Sequence, residues 1–177
     1  MKTIKHIFIN ISLLLTISIY SQTTPMDLFT GTWEYEENNE VFRVILWESD
    51  IKDNFIQGHF EKFVVDDNGI IQNYIYTSEK GKIPGDNKGW VPSAINVEVT
   101  STYLSGPFVD NTINPNLYDR IKRGQVKIEI ISNNQITNTV TARWTVKERV
   151  GQHLTFDSVS PDFNVPTDII LTKVVSF

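Results

Sequence analysis

Residues able to do bond-making chemistry are sparse along this chain, and their settings argue against a catalytic constellation. The three histidines are His6, His59 and His153. A hydrolytic triad needs a nucleophile held against a base that a third group orients. Thr155 and Ser158 meet His153 only as neighbours in sequence. Asp66 and Asp67 form a carboxylate pair, but Asp-Asp-Asn-Gly is first a turn, because Asp and Asn side chains bond their own backbone there. Calcium at Gly85-Asp86-Asn87 or Asp110-Asn111 lacks the alternating oxygens and closing Glu of a loop site. No glycine-rich phosphate cradle occurs. Cysteine is absent, which excludes thiol nucleophiles and thiolate metal sites within the chain. The expectation is a protein that is not an enzyme, with no catalytic residues, no metal site and no cofactor.

Aromatic residues carry the alternative chemistry, which is binding. Trp33, Trp47, Trp90 and Trp144 are joined by Tyr35, Tyr74, Tyr76, Tyr103, Phe60 and Phe63. On strands such rings are core residues first. A subset could instead line a cavity for one small apolar or amphipathic ligand. For that wall the reading selects Trp47, Tyr74 and Trp144, with Arg43 and Arg143 as anchors for an acidic headgroup. Arg143 and Trp144 are adjacent, so in an unbulged strand they face opposite ways and cannot share one wall. Trp90, in KIPGDNKGWVP, reads as a lid or partner contact on a rim loop.

The elements that must position these residues are strands. In QVKIEIIS, Val126, Ile128 and Ile130 alternate with charged residues, and in TVTARWTVK, Val140, Ala142, Trp144 and Val146 alternate with polar ones. Between them Asn133 and Asn134 tolerate the left-handed backbone of a hairpin turn. A second hairpin joins Gln57–Asp66 to Ile70–Ser78 through Asp66-Asp67-Asn68-Gly69. Further strands are expected at Thr32–Glu36, Val41–Glu48, Ile95–Leu104, within Pro107–Ile121, and at Ile169–Val175. The reading is all-β, with roughly eight to ten antiparallel strands and no helical stripe. Long rim loops are expected near Glu79–Ala94, Ser105–Asn116 and Gly151–Asp168.

The first 21 residues are read apart from the fold. Lys2 and Lys5 precede an apolar run, Ile7–Tyr20, and Ser21 stands where cleavage by signal peptidase is expected. The expected product is exported, periplasmic or extracellular, with a single domain over residues 22–177. Loss of Lys2 and Lys5 takes the net charge from -5 to -7. That charge disfavours nucleic acid and anionic membrane as partners.

So many strands leave edges, which a closed barrel removes. In PMDLFTGTWEYE, a turn over Pro25–Phe29 offers Leu28 and Phe29 as plugs, Gly31 allows close approach and Trp33 begins the first strand. Gly31-Thr32-Trp33, with the returning strand DIILTKV, resembles the lipocalin and calycin pattern, where such a Trp closes the barrel base. That resemblance implies an up-and-down barrel with Gly31, Trp33 and Lys173 at its closure, Lys173 standing where the pattern has Arg. Ser21-Gln22, Leu28–Trp33 and Ile170–Lys173 are also similar to an uncharacterised family of secreted flavobacterial proteins, a domain of unknown function. This second resemblance implies compartment and fold but no chemistry.

Three function classes follow. The first is an exported binding protein holding a small hydrophobic ligand inside the barrel. The second is a protein-interaction or inhibitor module with a filled barrel and active rim loops. The third is a small outer-membrane barrel, showing lipid a band of Val126, Ile128, Ile130, Val140, Trp144 and Val146. Against the third, Lys173 shares a face with Val175 and Phe177, so no membrane insertion is expected.

Overall fold

A computed structural model of the chain describes residues 25–79, 93–100, 102–113, 122–149 and 162–174. A one-turn helix α1 (Pro25–Phe29) leads into β1 (Gly31–Glu37), β2 (Glu40–Glu48), β3 (Phe55–Val65) and β4 (Ile71–Thr77). β5 (Ile95–Val99), β6 (Tyr103–Asp110), β7 (Lys122–Asn134), β8 (Thr139–Glu148) and β9 (Asp168–Val174) follow. Every pairing is antiparallel, in the order β2-β1-β9-β8-β7-β6-β5-β3-β4, and β2 also pairs with β3. Those eight strands without β4 therefore close into a barrel. β4 is added outside the ring, on the C-terminal half of β3, while β5 takes the N-terminal half.

Alternation decides what fills the ring. Phe42, Val44 and Leu46 from β2, Ile56 and Phe60 from β3, Val126 and Ile128 from β7, and Trp144 from β8 all point inward and are buried. Six rings form the centre: Phe60 lies 5.3 Å from Phe108, Phe108 lies 5.8 Å from Trp144, Trp144 lies 5.6 Å from Phe42, and Trp33 and Phe29 pack with them. The apolar band that an inverted barrel would turn toward lipid lies largely inside, with Val126, Ile128, Trp144 and Val146 all buried. Charged side chains such as Arg43, Lys127 and Arg143 lie on the solvent side.

At one end of the barrel the first and last strands meet, with Trp33 opposite Lys173. The Trp33 indole is buried and its Nε1 donates to the carbonyl of Phe29 at 2.7 Å. Lys173 donates to the carbonyls of Asp27 and Leu28 at 2.8 and 3.0 Å, satisfying carbonyls at the end of α1 that have no helical partner. Burial lowers the Lys173 pKa, against the pull of Asp27. Gly31 has φ of +113°, which a side chain would strain, and a Cβ there would meet Lys173 Cε at 3.3 Å.

At Asp110, a buried carboxylate ties the loop before β9 to the end of β6. Its Oδ1 accepts from Thr112 N and Oγ1 at 2.9 and 2.7 Å, and its Oδ2 accepts from Asn164 N at 2.7 Å. Nearby, the buried ammonium of Lys122 pairs with Glu148 and lies 4.7 Å from the centre of the Phe163 ring.

Three local expectations are corrected. Ile95–Leu104 is not one strand: β5 and β6 form a hairpin there, closed by Thr100, whose Oγ1 donates to Tyr103 O at 2.6 Å and accepts from Tyr103 N at 3.2 Å. Consequently the first half of the rim loop expected at Ser105–Asn116 is strand β6. In the β7–β8 hairpin, Asn133 and Asn134 remain in the strand, and the left-handed residue is Asn138, with φ of 52°. The side chain of Asn134 instead accepts from Ile136 N and Thr137 N. The β3–β4 turn follows its sequence: Gly69 has φ of +76°, and Asp66 Oδ1 accepts from Asn68 N and Ile70 N. The first 24 residues, the segments around Trp90 and His153, and the three C-terminal residues lie outside the described residues, and with them the expected leader and most of two of the expected rim loops.

Candidate functional site

β2 is apolar on both faces, so its outward side chains leave greasy ground on the outside of the barrel. Val41, Arg43, Ile45 and Trp47 project outward, and their partners on β3 are Phe63, Glu61, His59 and Gln57 in that order. Along β3 the buried face changes after Phe60: Phe63 and Val65, on the outer side with His59 and Glu61, are buried with Val41 in a small cluster separate from the main core. β4 follows this outer face, and its Tyr74 ring meets Phe63 edge-on at 5.6 Å.

Two recesses result. The first is a cleft of about 300 Å³ whose walls include Ile45, Trp47, His59, Glu61, Thr77 and Glu79. Trp47 and His59 are diagonal neighbours across β2 and β3, with ring centres 5.1 Å apart and planes inclined by 45°. The second, of about 530 Å³, has a floor of Val41, Phe63 and Val65 and a rim bearing Glu36, Asp66 and Asp67. Arg43 stands between them. Its guanidinium lies 2.6 Å from Glu34, 3.1 Å from Glu61 and 4.5 Å from the centre of the Phe63 ring, a fork held on two carboxylates and stacked on an aromatic face.

The cavity wall expected from Trp47, Tyr74 and Trp144 is therefore split by the sheet. Trp47 and Tyr74 belong to the outer face, whereas Trp144 is 0% exposed in the core and its Nε1 donates to Pro166 O at 2.8 Å. Alternation in β8 places Trp144 inside with Ala142 and Val146, whereas β2 is apolar on both faces and alternation there does not choose a side for Trp47. Arg43 does not suit an acidic headgroup, because its charge is already shared between Glu34 and Glu61. Arg143 lies on a different wall, where it holds Asp168 through two hydrogen bonds of 2.8 and 2.6 Å. That contact raises the guanidinium pKa and lowers that of the carboxyl. Trp90 falls outside the described residues.

His59 and Ser78 come together although their separation in sequence gave no sign of it. Ser78 Oγ lies 3.5 Å from His59 Nδ1, the residue types of a hydrolytic pair. A nucleophile needs access and an unspent lone pair. Ser78 is 0% exposed, and its Oγ accepts from Phe60 N at 2.8 Å, so the contact fastens β4 to β3. Among the described residues, no group of three or more His, Asp or Glu side chains is placed to hold a metal ion.

Fold and site together define a filled, eight-stranded antiparallel barrel with an aromatic cleft on its outer wall. The chain belongs to a family of unknown function (DUF6705), whose model matches residues 1–174. No curated protein and no solved structure shows significant similarity to it.

Proposed function

We propose that this is an exported, non-enzymatic binding protein that takes a small amphipathic ligand on the outside of its barrel, in the Trp47–His59 cleft. Export rests on the Lys2, Lys5 and Ile7–Tyr20 pattern of a secretory leader. One observation carries the binding reading: a partly buried indole and an imidazole, 5.1 Å apart, wall a recess that also presents Ile45 and the polar ends of Glu61 and Thr77. An apolar surface with a few convergent polar groups is the usual form of a small-molecule site. The core offers no such combination, because its rings pack against one another.

The test is native mass spectrometry of the mature protein purified from its own host. A retained small molecule that is lost from Trp47→Ala supports the reading. A molecule kept at the wild-type level in that variant contradicts it.

β4 favours a second reading, a protein-interaction module. Ile70–Ser78 contains no charged residue and no proline, the strand ends the sheet among the described residues, and Tyr74 and Ile75 are 51% and 43% exposed. Edges of this kind accept an extended peptide by strand addition.

A further inference from the structure

We infer that Asn68 is a self-modification site, whose side-chain amide turns into a mixture of aspartate and isoaspartate through a succinimide closed on Gly69. The inference stands apart from the binding reading above.

Three features of the β3–β4 turn carry it. Asn68-Gly69 is the one Asn-Gly pair in the chain, and glycine leaves its own main-chain nitrogen open to the neighbouring side chain. Around Gly69 there is room as well, since an added Cβ would have no neighbour within 4 Å. Asn68 is exposed, and among the described residues its main-chain N–H is bonded while its side chain is not. Asn73 supplies the contrast on the same hairpin: it is also exposed, but it lies within β4 opposite Val64 and is followed by Tyr74.

The chemistry is an intramolecular acyl transfer followed by hydrolysis. The Gly69 nitrogen, stripped of its proton, adds to Cγ of Asn68, and the new N–Cγ bond closes a five-membered ring whose partners are already adjacent. The Cγ–Nδ2 bond breaks and ammonia leaves, carrying off the proton. Water then opens the ring at either carbonyl. Attack at Cγ gives aspartate, whereas attack at the main-chain carbon gives isoaspartate, with the chain rerouted through Cβ and Cγ. One water is consumed, one ammonia is released and one negative charge is gained. In the intact turn the Gly69 N–H donates to Asp66 O at 2.9 Å, so ring closure proceeds during local openings of this exposed tip.

The product matters because Asp66 organises the turn around that peptide bond. Its Oδ1 accepts from Asn68 N and Ile70 N, each at 2.9 Å, and its Oδ2 accepts from Gln72 Nε2 at 3.1 Å. Rerouting the chain between Asn68 and Gly69 displaces Ile70 from this clasp and loosens the entry to β4. Either product also adds a carboxylate next to Asp66 and Asp67, on the rim of the larger recess.

The experiment ages the folded protein at mildly alkaline pH and digests it with trypsin. The peptide 63–80 holds both Asn68 and Asn73, so one serves as the reference for the other. Chromatography with electron-transfer fragmentation separates amide, aspartate and isoaspartate at each position. Asn68 is expected to convert about tenfold faster than Asn73 or more, to yield both products, and to do so faster as pH rises. Asn68→Gln should leave the peptide unchanged at that position, and hydrogen exchange of the aged wild type should show β4 amides losing protection while those of β7 and β8 keep theirs. Conversion of Asn68 no faster than that of Asn73, or aspartate formed without isoaspartate, would overturn the inference. Unchanged protection in β4 after full conversion would overturn its effect on the hairpin.

Discussion

Lys173 on the last strand sits directly across from Trp33 on the first, its ammonium 5.6 Å from the centre of the indole. The same ammonium bonds two carbonyls of the helix that leads into β1. One lysine thus joins α1, β1 and β9 where the barrel closes. Lys173→Met keeps the length of the side chain but removes the donors and the cation–π contact. It should lower unfolding free energy by about 1–3 kcal/mol in urea titrations, with an unchanged m-value.

Tyr76 makes alkaline pH a probe of β4. Its hydroxyl is buried with no hydrogen-bond partner among the described residues, and its ring meets Phe60 edge-on. Burial above all, then the charges of Asp110 and Glu40, raise its pKa well above the ordinary tyrosine value of 10.0. The sign follows directly. Above about pH 10 the unfolded chain gives up this proton and the folded one keeps it, so stability falls as pH rises, by about 1.4 kcal/mol per unit. Tyr76→Phe should remove that contribution to the slope between pH 10 and 12. At pH 7 the variant should be as stable as the wild type or about 1 kcal/mol more so, since an unpaired buried hydroxyl disappears.

Asp110 should be intolerant of even a conservative change. Three donors point at its two oxygens, so Asp110→Asn turns an amide NH₂ toward groups that can only donate or must reorient. A loss of about 2–4 kcal/mol is expected in denaturant. Hydrogen exchange should show the amide of Asn164 losing protection before the amides of β7 and β8.

On β4, a single charge should blunt the open edge. Ile75→Lys places an ammonium on an exposed strand position and is expected to change stability by less than about 0.5 kcal/mol. Light scattering at high protein concentration should show reduced self-association relative to the wild type.

Much of the barrel could be read from its residues, because period-two alternation in β7 and β8 and the Asp66–Gly69 turn each have one physical solution. The class of fold and the two hairpins came from that source, and the Gly31-Thr32-Trp33 closure from its resemblance to the lipocalin pattern. The site did not, for a reason visible in β2. In EVFRVILWE both alternating sets are apolar, Val41, Ile45 and Trp47 on one side and Phe42, Val44 and Leu46 on the other, so periodicity cannot choose which faces the core. For Trp144 the pattern indicated the interior correctly, but inside and hollow are different properties, and only packing against Phe42 and Phe108 distinguishes them. His59 joined the cleft through a register between β2 and β3 that neither strand encodes alone. Thr100 ended a strand through a side-chain hydrogen bond to Tyr103 that local propensity does not reveal.

The central claim is that recognition occurs outside a filled barrel. Fluorine NMR of protein carrying 5-fluorotryptophan tests it most directly, because Trp33 and Trp144 lie in the core and Trp47 lies on the outer wall. Titration with the small molecules released from protein purified from its host should shift the Trp47 resonance in a saturable way, leaving those of Trp33 and Trp144 unmoved. A shift of the Trp144 or Trp33 resonance with Trp47 unchanged would place the ligand inside the barrel and contradict the account.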